Sequence, residues 1–162
     1  MKKTILISIA IFMMAGAKAQ VAMSPRVGFE TQCLGVEEDG TQTLRVWGFG
    51  SKKKDAVEQA MKTAVRDILF KGIHAGMEGC NTRPMLTEVN ARERHEAYFN
   101  KFFADGNRFK KYVSFKDEKK KKKSREHTES MLGTRWSIVV TVKCPQLRQR
   151  LINDKIIQKD YK

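Results

Sequence analysis

The sequence predicts a single α+β domain: an antiparallel sheet of about four strands, in the order β-β-α-α-β-β-α, packed against two or three helices. Three observations lead there. Trp136, Ile138, Val140, Val142 and Cys144 alternate with the two-residue period of a half-buried strand. Ala56, Val57, Ala60, Met61, Ala64, Val65, Ile68 and Leu69 recur as one apolar stripe with helical spacing. The 162-residue chain, 41% hydrophobic and 31% charged, has the size and composition of one packed domain rather than a coiled coil, a polytopic transporter or a multidomain enzyme.

The elements follow in order. Phe29, Thr31 and Cys33 share one face of a first strand. Glu37, Glu38, Asp39 and Gly40 make a polar turn, since Asp-Gly supplies the backbone freedom that a tight hairpin needs. Residues 43–49 resume the strand pattern with Val46 and Trp47, and Gly48-Phe49-Gly50 closes it, with Ser51 as helix N-cap. The helix that follows runs about 20 residues. Its alanines 56, 60 and 64, four apart, let it sit close against a sheet. Gly72, Gly76 and Gly79 end it and surround Cys80. After Pro84, Leu86 and Val89 lead a second helix that ends in Tyr98, Phe99, Phe102 and Phe103. Asp105-Gly106-Asn107 is a turn, and Phe109, Val113 and Phe115 form a third strand. The fourth strand follows a lysine run, and Pro145 opens a last short helix carrying Leu147, Leu151 and Ile152.

The N-terminus reads as an export signal, residues 1–19. Lys2 and Lys3 precede an apolar stretch over residues 5–14, and Ala17-Lys18-Ala19 places small residues where a signal peptidase cuts, before Gln20. The alternative is an uncleaved anchor, for which the stretch is short. The first cysteine is Cys33, so nothing marks the new N-terminus for lipidation. The domain then spans residues 20–162, in the periplasm of a bacterial envelope, with no membrane span of its own.

Cys33, Cys80 and Cys144 form no C-x-x-C pair, which leaves a redox motif and a zinc ribbon unsupported. In an oxidising compartment three cysteines suggest one bridge and one thiol. If the long helix runs back along the second strand, its far end approaches the turn near Cys33 and brings Cys80 there. With strand three running toward that turn and strand four returning, Cys144 falls at the opposite edge. The expected bridge is therefore Cys33–Cys80, with Cys144 a buried thiol.

A strand ending in Gly48 and Gly50, then a helix with Ala56, Ala60 and Ala64, resembles the small envelope domain of flagellar assembly protein T and related twenty-kilodalton lipoproteins. The strand over residues 136–142, entering a helix with Leu147 and Leu151, fits the same pattern. This chain departs from it in lacking a lipidation cysteine, in its aromatic second helix and in its lysine insertion. The resemblance implies an α+β domain that binds partners in envelope assemblies, without catalysis.

Catalytic patterns are sparse. His74, His95 and His127 are not spaced as helical ligand pairs; Glu93, His95 and Glu96 read as a solvated helix face, and His74 as a helix-end cation. There is no G-x-S-x-G elbow or phosphate loop, so Gly48-Phe49-Gly50 before Ser51, Lys52, Lys53 and Lys54 reads as a tight turn with a solvated basic helix start. No cofactor or metal is expected.

Charge is the distinctive feature. The chain carries +14, of which residues 108–125 hold +8 through Arg108, Lys110, Lys111, Lys116, Lys119, Lys120, Lys121, Lys122, Lys123 and Arg125, against Asp117 and Glu118. Adjacent lysines repel one another, so the run is expected at a hairpin tip near 116–126. Three roles follow from it: a solvated loop guarding a strand edge, docking to an anionic envelope surface or acidic protein partner, or nucleic-acid binding, ranked last for an exported chain. The expected function is an exported binding or structural module without catalysis. Lys119, Lys120, Lys121, Lys122, Lys123 and Arg125 are the anionic-partner residues, and the alternative is a hydrolase or other small enzyme whose site only folding assembles.

Overall fold

The computed structural model describes residues 29–104, 108–115, 127–130 and 133–158, with side chains omitted at 127–130, 133 and 134. Its strands are β1 (Gln32–Val36), β2 (Gln42–Gly50), β3 (Ala75–Gly76), β4 (Val113–Phe115), β5 (His127–Ser130) and β6 (Gly133–Val142). The helices are α1 (Lys53–Phe70), α2 (Ala91–Arg94), α3 (Glu96–Phe103) and α4 (Cys144–Asn153), with a 3₁₀ turn at Arg108–Lys111. The class is α+β.

The sheet differs from expectation in count and order. Among the described residues it holds six strands in the order β3-β1-β2-β6-β4, with β5 also on β6, and it is mixed because β3 runs parallel to β1. The late strand is central: β6 pairs antiparallel with the whole of β2, from Gln42↔Val142 to Gly50↔Thr134. On its other edge β6 receives β4 at Val142–Val140 and β5 at Trp136–Gly133.

One face of this sheet is buried by α1. Gln42, Leu44, Val46 and Gly48 on β2 face the helix, as do Ile138, Val140 and Val142 on β6, matching the two-residue period. Ala56, Ala60 and Ala64 are fully buried against them. The close approach is enforced at Gly48, where an added Cβ would lie 1.8 Å from the Ala56 carbonyl oxygen. Thr31 and Cys33 also point inward, Thr31 Oγ1 donating to the buried Asp67 carboxylate of α1. Phe29 does not share that face. It is 41% exposed and packs edge-on against Trp47, on the opposite side of the sheet.

The α1 boundaries shift slightly. Lys52, not Ser51, is the N-cap, and it makes no side-chain capping bond. At the far end Gly72 takes φ +79° and its N–H reaches Asp67 O, a left-handed helix stop that Gly adopts without strain. The predicted second helix starts later, because the chain after Pro84 is otherwise engaged. Met85 N–H and Leu86 N–H donate to the Ile68 and Leu69 carbonyls and so cap the last turn of α1. Leu86 is buried there and Val89 is left 76% exposed; the helix begins at Ala91 and breaks at His95. Phe109 lies fully buried on the 3₁₀ turn, not on a strand, so the third strand shortens to Val113–Phe115. The predicted turn at 105–107 lies outside the described residues.

The Cys33–Cys80 disulfide is present, with Cα atoms 5.9 Å apart. Pairing of β1 with β3 delivers it: Gly76 sits opposite Cys33, and Met77 N–H donates to Cys33 O, which turns the following residues toward β1. Cys144 is the free, buried cysteine. The expected reason for leaving it unpaired is wrong, however. Because β6 runs toward the β1–β2 turn, Cys144 follows Val142 at the end where Gln42 starts, and it shares a cleft with Cys80 instead of lying at the opposite edge.

Candidate functional site

The aromatic helix builds the second half of the core. Phe99, Phe102, Phe103 and Phe109 are buried, and they are ringed by Phe70, Tyr98 and Tyr112 at centroid separations of 5.0–6.5 Å. Tyr98 Oη donates to Asp154 Oδ2 at 2.7 Å, and Arg150 Nε donates to the same oxygen at 2.7 Å, which fastens α3 to α4. Burial and the Asp154 carboxylate push the Tyr98 phenol up, and Asp154 strengthens the charge on Arg150. Burial likewise pushes the Cys144 thiol up to about 11, so it stays protonated and a poor nucleophile at neutral pH.

Of the three histidines, His74 is exposed with Nε2 3.3 Å from Lys71 O, and His95 is half-buried at the α2–α3 break. The His127 side chain lies outside the described residues. Glu93 and Glu96 are exposed, as a solvated face requires. Among the described residues no group of three His, Cys, Asp or Glu side chains is placed to hold a metal ion, and no helix is long and apolar enough to cross a membrane.

The described residues line several open clefts, three of which bear on the site. One, of about 510 Å³, is lined by Arg66, Asp67, Lys71, Glu88, Arg92 and Glu93, charges of both signs. A second, of about 510 Å³, runs between Pro84, Met85 and Leu86 on one wall and Arg148, Ile156 and Ile157 on the other. The third, of about 630 Å³, joins Gly40, Cys80, Arg83, Cys144, Pro145 and Arg148. None of the three is lined by a histidine.

Lys119, Lys120, Lys121, Lys122, Lys123 and Arg125 lie outside the described residues, as does the expected hairpin tip near 116–126. Their flanks are placed. Phe115 ends β4 opposite Val140, His127 begins β5 opposite Trp136, and both strands occupy the same edge of β6. Arg108 and Lys111 are exposed on the 3₁₀ turn, while Lys110 Nζ is 2.9 Å from Glu58 Oε2 of α1.

Cations of α1 lie over rings of the segments that follow. Lys62 Nζ is 5.9 Å from the Phe109 ring centroid, the Arg66 guanidinium 5.3 Å from Phe103, and Lys53 Nζ 5.8 Å from Phe115. The last contact places Lys53 at the point where the chain enters the lysine-rich segment, and Lys52, Lys53 and Lys54 are all exposed. The sequence reads these three lysines as a solvated basic helix start after a tight turn. Lys53 and Phe115 are 62 residues apart, and no local signal links them. Comparison with protein-family models, with curated proteins and with solved structures gave no match.

Proposed function

We propose that this protein is an exported, non-catalytic module of the bacterial envelope that docks to anionic surfaces or acidic partners. Lys119, Lys120, Lys121, Lys122, Lys123 and Arg125 make the main contact, and the likeness to the envelope domain of flagellar assembly protein T belongs to the same reading. The observation that carries it is the concentration of charge: +8 within residues 108–125 of a chain whose total is +14. Charge packed so densely attracts polyanions over a screening length of about 10 Å at 0.1 M salt, and the attraction fades as salt rises.

The test replaces the five lysines 119–123 by serine. Lysine side chains are almost never fully buried, so the melting curve should match that of the parent. Retention on heparin and on anionic vesicles should fall, and its salt dependence should flatten. Equal retention of variant and parent at every salt concentration would sink the proposal.

A further inference from the structure

The side of the sheet turned away from α1 pairs Arg45 with Val139, Trp47 with Ser137 and Phe49 with Arg135 across β2 and β6. We propose that this face docks an acidic amphipathic helix of a partner protein, its apolar stripe on the rings and its carboxylates on the two arginines. The site is additional to the lysine contact proposed above and is built without it.

A sheet face left to water carries polar side chains at alternate positions. Here Trp47 and Phe49 hold successive outward positions of β2, and Val139 lies diagonal to Trp47 on β6. All three are half-buried, yet they stand outside the apolar core that joins α1, α3 and α4 to the inner face. Phe29, 41% exposed, packs edge-on against Trp47 with ring centroids 5.2 Å apart. The Trp47 Nε1–H is shielded from water and has no acceptor. An apolar sheet face is completed by a second layer, and a helix is the usual one.

Charge selects the occupant. Neither β2 nor residues 135–142 hold an aspartate or glutamate. Among the described residues Arg45 and Arg135 pair with no carboxylate. A second copy laid face to face would set arginine against arginine with no acid between them. A carboxylate instead fits the guanidinium fork through two parallel hydrogen bonds. Tryptophan and arginine dominate protein interfaces, whereas lysine is depleted there. Both cations of this face are arginines, in a chain whose cations are mostly lysine. A nucleic-acid strand would need open ring faces for its bases, and the Arg135 guanidinium covers Phe29 at 3.7 Å from the centroid.

The experiment uses the full domain, residues 20–162, and a labelled synthetic helix of about 18 residues, long enough to form in water. The probe carries a leucine stripe flanked by glutamates, and its control has lysine at every glutamate. Replacing Arg45 and Arg135 together by glutamine should weaken binding of the acidic probe about tenfold to a hundredfold, with an unchanged melting curve, and Trp47→Thr should do the same. The Trp47 indole N–H resonance, assigned with Trp47→Phe, should shift on titration while that of Trp136 stays in place. If the double glutamine variant binds like the parent and the variant of lysines 119–123 loses binding, the sheet face is overturned and the docking function stands. Equal binding of the lysine control would overturn the selection for acid. A parent dimer that Trp47→Thr dissociates would make a second copy the occupant and overturn the proposal. Binding of heparin or single-stranded DNA through Arg45 and Arg135, without binding of the acidic helix, would overturn the protein assignment.

Discussion

The two ends of strand β2 are built in opposite ways. At its start, Glu37, Glu38, Asp39 and Gly40 close a turn from within: Glu37 N–H donates to Thr41 O, Gly40 N–H to Glu37 O, and Thr41 N–H to Asp39 Oδ1. Each partner lies within four residues of the other, and Gly40 takes φ +79°. At its finish, Gly48 and Gly50 make no such local set. They are glycines because the backbone of α1 passes against them, Ala56 O over Gly48 and Ala56 N near Gly50. Phe49 N–H donates to Gln59 Oε1 of the helix. One end is a local structure that exports acidic charge, and the other is a tertiary contact that exports basic charge. A turn made of its own hydrogen bonds tolerates surface change, whereas an end made of packing depends on a neighbour's position to fractions of an ångström.

The largest effect is expected near the first end. The Cys33–Cys80 bridge spans a separation of 47 residues and ties β1 to the chain that follows α1. By the chain-entropy argument, removing it as C33A/C80A should cost about 4 kcal/mol, read as a lower denaturation midpoint in urea. An unchanged midpoint would mean that the β1–β3 pairing holds this end without the bridge.

At the second end, Gly48→Ala should cost about 3 kcal/mol, because the new methyl group meets helix backbone that cannot rotate away. The same change at Gly35, where an added Cβ meets nothing within 4 Å, lacks that clash. Its φ of +151° leaves only backbone strain as a cost. A Gly48 variant as stable as the parent would show that α1 slides easily over the sheet, and the contrast between the two ends would fail.

The smallest effect concerns Asp39. The Thr41 N–H bond to its carboxylate holds the Asp39 pKa below its ordinary value of 3.8. A group with a depressed folded pKa contributes stability above the unfolded pKa, and that contribution is lost as pH falls through the folded value. The parent should therefore be slightly more stable than Asp39→Asn near pH 6, with the difference shrinking below about pH 4. Urea midpoints of the two proteins across that range measure it, and a gap that widens in acid would reverse the assignment.

How legible each feature was depended on how local its cause is. The α1 stripe was readable because Ala56, Ala60, Ala64 and Ile68 must share one side of any helix, and all are buried. The β6 alternation was readable for the same reason. The second helix misled because the Met85 and Leu86 N–H groups satisfy the carbonyls at the end of α1, a demand set by a distant element. Phe109 misled because a buried ring on a 3₁₀ turn gives the same apolar mark as a ring on a strand. The Cys33–Cys80 pair was reached by an argument half right. The end of α1 does approach the first turn, but β6 also returns there and brings Cys144 into the same cleft as Cys80.

By itself, then, the sequence determined the α+β class, the buried face of each long element, the acidic turn and the concentration of lysine. All of these follow from the periodicity of a helix or strand, or from hydrogen bonds within a few residues. Only the tertiary structure decided that β6 lies between β2 and β4, that β3 adds a parallel edge, and that Lys53 sits over Phe115. Strand order and side-chain neighbours across 62 residues depend on how faces of similar apolarity are matched in the assembled core, and periodicity carries no information about which face meets which.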